Sequence, residues 1–268
     1  MHNIEYTDPA RELVDTCRML HVATGSRGDE LLATSFGVVV WSREFYEIVM
    51  NILERIEALR TIVDGLAIDE DVKEDAKQNL DAVSRVFSIS SLCNAWNSGG
   101  LGASLVNREN LQPILMLSGQ IRALMKYPKI SDDLAAELLS DTTELLQWLE
   151  EHQIGEEDFI RQAIIDGIKK FQFRVSKLKW LGYGYTIESL KEVISAYIML
   201  ERAVPDLLLS PNADAALRKF KSYLSATYTK LGQAKDAVEI GEFMLVRAYA
   251  VFTIAKEIPS ISGLLPSY

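Results

Sequence analysis

A run of cations and aromatic rings between residues 169 and 185, KKFQFRVSKLKWLGYGY, is the segment best suited to binding chemistry. It carries five cations and no acid, in a chain whose net charge is −10. Lysine and arginine bind anionic groups, and tryptophan and tyrosine supply stacking and apolar anchors. The candidates for binding a partner or an anion are therefore Lys169, Lys170, Arg174, Lys177, Lys179, Trp180, Tyr183 and Tyr185.

Ordinary helix packing offers a second interpretation of the same segment. Acids begin this helix at 156–158 and cations end it, which is the order that the helix macrodipole favours. Phe173 and Trp180 lie away from the main apolar stripe, so a second helix would have to cover them. That main stripe consists of Ile160, Ile164, Ile168, Phe171, Val175 and Leu178. A contact surface and a packed helix end both remain open at this level.

Residues that could support catalysis or hold a metal are few. The three histidines are His2, His21 and His152. Cys17 and His21, four residues apart on one helix, could both ligate a metal, but no second pair lies nearby. The glycine stretch 99–102 lacks the Lys-Ser/Thr pair of a phosphate loop, so it indicates a hinge. The sequence predicts no metal and no cofactor, and it favours a protein that is not an enzyme.

The elements that would position these residues are helices. Ser42 is a good N-cap for a helix whose apolar residues recur at spacings of 4 and 3, a heptad pattern. These residues are Phe45, Val49, Ile52, Ile56, Leu59, Val63 and Leu66. A short linker leads to a second helix with the predicted core positions Val72, Ala76, Leu80, Val83, Phe87 and Trp96. Two long helices with a short connection predict an antiparallel hairpin.

The remaining pattern completes an all-α fold of eight to nine helices in antiparallel hairpins, which form a bundle or a helical array. Asp8-Pro9 begins the first helix, and another helix near 110–126 ends before Pro128. Residues 31–41 would be a strand, a short buried helix or an extended arm. We divide the chain into an N-terminal region, 1–98, containing the long hairpin, and a C-terminal bundle, 99–268, with one continuous domain as the alternative.

Composition restricts the partners and the compartment. Acidic residues outnumber basic ones, 38 to 28, so the molecule as a whole does not attract nucleic acid. Cys17 and Cys93 are predicted to be buried free thiols, with a single disulfide as the alternative. The N-terminal residues do not resemble a secretory signal, and we expect a cytoplasmic protein.

The leading functional hypothesis is a non-enzymatic, all-helical interaction protein that acts through a protein partner or by forming a homo-oligomer. One alternative is a membrane-active bundle that inserts its last apolar helix, containing residues 243–255, when triggered. We do not favour a membrane partner, because such a helix is more often part of a core. A further alternative is an enzyme or sensor that binds an anionic small molecule near the cations of residues 169–179.

Overall fold

The computed structural model describes residues 5–21, 27–97, 101–152 and 158–187, with a few further residues between 189 and 227. The fold is all-α, as predicted. Within the described residues eleven helices have defined bounds, and eight of them are seven residues or longer. They are α1 (Pro9–His21), α2 (Gly28–Phe36), α3 (Arg43–Asp64), α4 (Glu70–Arg85), α5 (Ile89–Leu92), α6 (Leu101–Leu105), α7 (Arg108–Met116), α8 (Ser118–Leu124), α9 (Asp132–Glu151), α10 (Asp158–Ser176) and α11 (Leu178–Leu181).

Asp8 caps α1 and also ties it to α8. One carboxylate oxygen accepts the backbone N–H of Arg11 at 3.0 Å. The other accepts the Ser118 hydroxyl at 2.7 Å and lies 3.1 Å from a guanidinium nitrogen of Arg122. Asp8 is fully buried, so these partners replace the water that a carboxylate needs. The predicted start of the first helix is confirmed.

Residues 31–41 form the end of a helix and a loop. α2 runs to Phe36, and Gly37 then adopts a left-handed conformation with φ 64°. The short-helix interpretation is confirmed for residues 31–36 only, because residues 37–41 form a loop, and a strand there would have been wrong. An extended pairing that was not predicted joins β1 (Tyr6–Thr7) antiparallel to β2 (Tyr127–Pro128).

α3 and α4 form the predicted antiparallel hairpin. The Ser42 hydroxyl accepts the N–H of Phe45, and every predicted heptad residue of this helix is buried. Lys77 of α4 lies 3.0 Å from Asp64 at the end of α3. Asp81, one turn later in α4, pairs with Arg60, one turn earlier in α3. Because the contacts advance along α4 while they go back along α3, the two helices are antiparallel. Val72 was predicted to be in the core, and that was wrong, because it is 46% exposed at the start of α4.

Three other details differ from the predictions. The helix expected near 110–126 is divided into α7 and α8, with a break at Leu117. The helix that carries the cationic segment was expected to be continuous, but it is interrupted at Lys177, which separates α10 from α11. Both cysteines are free thiols; Cys17 is buried as predicted, whereas Cys93 is exposed. Short-range periodicity cannot reveal the breaks at Leu117 and Lys177, because the chain is helical on both sides of each break.

The chain divides into two compact units, Met1–Ala135 with Lys170–Ser189 and Ala136–Lys169 with Leu190–Tyr268. The first unit has one apolar core built from α1 to α8 and completed by Leu181 of α11. In the second unit, Thr142 is buried and shares a hydrogen bond of 2.8 Å with the hydroxyl of Tyr223. The sequence-based division at residues 98 and 99 is a different partition, and it stays a prediction.

No helix in the described part of the chain has the length and apolar character needed to cross a membrane. The apolar segment 243–255, on which the membrane hypothesis depends, lies outside the described residues.

Candidate functional site

The predicted binding segment 169–185 contains the end of α10, the whole of α11 and the start of a further helical turn at 183–187. Its main apolar stripe is buried as expected: Ile164, Ile168, Phe171, Val175 and Leu178 are each at most 7% exposed. The side chain of Ile160 lies outside the described residues. The candidates themselves differ widely in exposure and contacts.

Arg174 is directed into the protein. The residue is only 4% exposed, and its guanidinium lies 4.2 Å from the centre of the Tyr185 ring. It also donates a hydrogen bond of 2.9 Å to the Tyr185 hydroxyl. Burying a charge is costly unless it is paired, and the ring face and hydroxyl partly replace its hydration. These two candidates therefore contact each other and join the end of α10 to the turn after α11.

Lys177 is used as a helix cap. Its ammonium donates to the backbone carbonyl oxygens of Phe36 at 2.8 Å and Gly37 at 3.3 Å, at the C-terminal end of α2. The last carbonyls of a helix lack intrahelical partners and carry partial negative charge, so a cation is favourable there. This contact fixes the point at which α10 ends against α2.

Trp180 and Phe173 are half-buried and pack against the core of the first unit. The Trp180 ring meets Phe36 edge-on, with ring centres 4.9 Å apart. The rings away from the main stripe are thus partly covered, which agrees with the interpretation of a helix packed between neighbours. Tyr183 is also half-buried.

The exposed cations of the segment are Lys169, Lys170 and Lys179. Lys169 belongs to the second unit and lies 3.2 Å from Glu150, a surface ion pair of small energetic value. Lys170 and Lys179 belong to the first unit. Partner or anion binding by the eight predicted residues stays a prediction, and these two lysines are its most accessible members.

A buried ion pair that the sequence did not predict holds this segment against α1 and α3. Glu12 of α1 accepts the backbone N–H of Tyr183 at 3.1 Å, and the same oxygen lies 3.6 Å from the guanidinium of Arg55. Arg55 donates in turn to the carbonyl of Trp180 at 2.9 Å. Both side chains are almost buried, with 6% and 11% exposure. The Glu12 carboxylate and the Arg55 guanidinium thus provide hydrogen-bond partners for two backbone groups of the turn around Gly182, the Tyr183 N–H and the Trp180 carbonyl.

Gly182 has no room for a side chain. Its φ of 86° is unfavourable for any other residue, and an added Cβ would lie 2.4 Å from the Glu12 carboxylate. The other oxygen of Glu12 is buried and accepts no hydrogen bond from any described residue. Burial raises the pKa of Glu12 to about 7, because Arg55 and the Tyr183 N–H only partly offset the lost hydration.

A second surface feature lies on α3, on the face beside its heptad core. Arg43, Tyr46, Met50, Leu53, Glu57 and Arg60 recur at spacings of 3 and 4 and share one face, which we call the outer stripe. Tyr46 is 48% exposed and Met50 is 51% exposed, whereas Leu53 is half-buried. The spacing of Tyr46, Met50 and Leu53 is visible in the sequence, but the sequence analysis did not predict this surface because the heptad pattern of the same helix is stronger.

Trp41, just before α3, is held in a strained conformation beside the outer stripe. Its φ of 58° is rare for a bulky residue. The ring lies 5.6 Å from Tyr46, and its N–H donates to buried Asp29 at 2.9 Å. Burial would raise the pKa of Asp29, but hydrogen bonds from Arg27, Trp41 and a backbone N–H hold it below its usual range. Such strain persists only where surrounding contacts enforce it.

Among the described residues no group of three or more His, Cys, Asp or Glu side chains could hold a metal ion. Cys17 is buried, which raises the pKa of its thiol to about 12, and the side chain of His21 lies outside the described residues. Comparison with protein-family models, curated proteins and solved structures gave no match for this chain.

Proposed function

We propose that this chain is a non-enzymatic interaction protein that acts through a protein partner or by self-assembly. The observation that carries the proposal is the outer stripe of α3, where Tyr46 and Met50 remain about half exposed on a long helix. Aromatic residues and methionine are enriched in the centres of protein interfaces, and charged residues surround them. The flanking Arg43, Glu57 and Arg60 fit that arrangement.

The contacts that hold Tyr46 in place support the same proposal. Trp41 braces Tyr46 from one side, and its indole N–H is fixed by Asp29. The neighbouring face of α3 is anchored by its buried heptad residues. A side chain that is ordered before binding loses less conformational entropy when a partner arrives, so less of the interaction free energy is lost.

The cationic segment provides a second contact area for an acidic partner. Lys170 and Lys179 are exposed, while Arg174 and Lys177 have structural contacts within the first unit. An anion site built from the whole of 169–179 would have to break those contacts. We therefore place the contribution of this segment on the two exposed lysines, where charge guides association more than it determines affinity.

Photocrosslinking in the native host tests the proposal. The photoreactive residue p-benzoylphenylalanine replaces Tyr46 in one variant and the 71%-exposed Ile89 of α5 in a matched control. We expect Tyr46 to give a discrete adduct, either with one other protein or with a second copy of the chain, and Ile89 to give none. Adducts at neither position, or equal labelling at both, would refute a contact through the outer stripe.

A charge-reversed variant extends the same experiment to the lysines. Lys170→Glu with Lys179→Glu should reduce the Tyr46 adduct if the partner is acidic. An unchanged adduct would show that the cationic segment does not contribute to the contact.

A further inference from the structure

Two of the three charges of the outer stripe, Arg43 and Glu57, lie at equal distances on either side of Met50. Arg43 lies seven residues before Met50, and Glu57 lies seven residues after it. At about 1.5 Å per residue, each charge is roughly 10 Å from the centre, in opposite directions along α3. Both side chains are exposed. A face with opposite charges equidistant from an apolar centre is complementary to itself when one copy is reversed.

From this arrangement we infer that two copies of the chain associate through antiparallel packing of α3 against α3, with a two-fold axis at Met50. In such an isologous contact, if residue i of one copy contacts residue j of the partner, then residue j of the first copy contacts residue i of the partner. Arg43 of each copy then faces Glu57 of the other, which gives two equivalent ion pairs. The inference deepens the proposed function by choosing a second copy as the partner.

The aromatic part of the stripe fits the same geometry. Tyr46 lies four residues before Met50, so its counterpart across the axis is Glu54, four residues after it. A shallow groove between α3 and α4 occupies that position, lined by Leu53, Glu54, Glu57 and Ser84. The Tyr46 ring of one copy can enter this groove on the other, in the manner of a side chain packed into the space between facing residues.

The size of the contact sets the expected strength. A single helix pair with two exposed apolar residues per copy is a small interface, and small interfaces support weak association, on the order of micromolar. Arg60 of the stripe already pairs with Asp81 within the chain. Glu57 also lies 3.7 Å from Arg60, but its side chain is 74% exposed, so Arg43 and Glu57 are the exposed charges of the stripe that decide which orientation is preferred.

Charge reversal tests the orientation directly. Sedimentation equilibrium from low micromolar to several hundred micromolar should show a dimer for the unmodified chain. Arg43→Glu and Glu57→Arg should each weaken dimerisation about tenfold, because every exposed pair is replaced by a repulsion at two symmetric places. The double variant should restore the original affinity. A monomer throughout, or single variants that dimerise as well as the unmodified chain, would overturn the inference.

A disulfide experiment locates the axis. In a Cys93→Ser background, Met50→Cys should oxidise rapidly to a covalent dimer, because the two residues meet at the axis. Val72→Cys, at a residue 46% exposed on α4, is the matched control and should remain monomeric. Equal crosslinking at both positions would reject the axis. If Met50→Cys forms no covalent dimer and Tyr46 crosslinks to a different protein, self-association is rejected and the proposed function is retained.

Discussion

Replacing Glu12 with glutamine should remove a large part of the pH dependence of stability in the first unit. The pKa of this carboxyl rises from its ordinary value of 4.5 to about 7 in the fold, with burial as the main cause. One pKa unit corresponds to about 1.4 kcal/mol, so ionising Glu12 within the fold costs about 3 kcal/mol. Glutamine has the shape of the protonated acid and keeps an oxygen for the Tyr183 N–H.

The sign of the effect follows from proton linkage. A carboxyl whose pKa is raised by folding binds its proton more tightly in the folded state. Its favourable contribution is complete below about pH 4.5 and is lost as the pH rises through 7. The free energy of unfolding of the unmodified chain should therefore decrease, relative to that of Glu12→Gln, by about 3 kcal/mol between pH 4.5 and 8.

Urea denaturation at several pH values between 4.5 and 8 measures this difference. Tryptophan fluorescence is a suitable probe, since Trp41, Trp96 and Trp180, three of the four tryptophans, belong to the first unit. Glu54→Gln, at an exposed position on α3, controls for the loss of one surface charge. A difference between the unmodified chain and Glu12→Gln that stays constant with pH, or that changes in the opposite direction, would refute the reasoning.

Three further substitutions test other contacts of the first unit by the same denaturation assay. Gly182→Ala should cost more than about 2 kcal/mol because of its positive φ and the 2.4 Å approach to Glu12, whereas Gly119→Ala, with nothing within 4 Å, should be neutral or stabilising. Lys177→Met should cost about 1 kcal/mol by removing the α2 cap, and an equal loss for the exposed Lys179→Met would contradict that role. Asn51→Leu should stabilise by about 1 kcal/mol, since the amide is buried without a hydrogen bond from any described residue. Destabilisation by Asn51→Leu would mean that the Asn51 amide has hydrogen-bond partners in the folded chain.

The sequence by itself determined the helical class and the buried face of the longest helix. The heptad residues from Phe45 to Leu66 are all buried, and Ser42 and Asp8 cap the helices that they were predicted to cap. These features depend on residues within a few turns of one another. Periodicity and capping are local, so they can be read without knowing what packs where.

The tertiary structure alone decided the roles of Glu12 and Arg55 and of the cations in the segment 169–185. Glu12 and Arg55 are 43 positions apart, and each resembles an ordinary surface charge on an amphipathic helix until the turn around Gly182 closes over them. In the same way Lys177 became a cap for α2 and Arg174 a buried partner of Tyr185, which left Lys170 and Lys179 exposed. Whether a charge binds a partner or stabilises the fold depends on what covers it. That covering comes from other helices or turns, beyond the reach of helical periodicity, and local patterns carry no information about it.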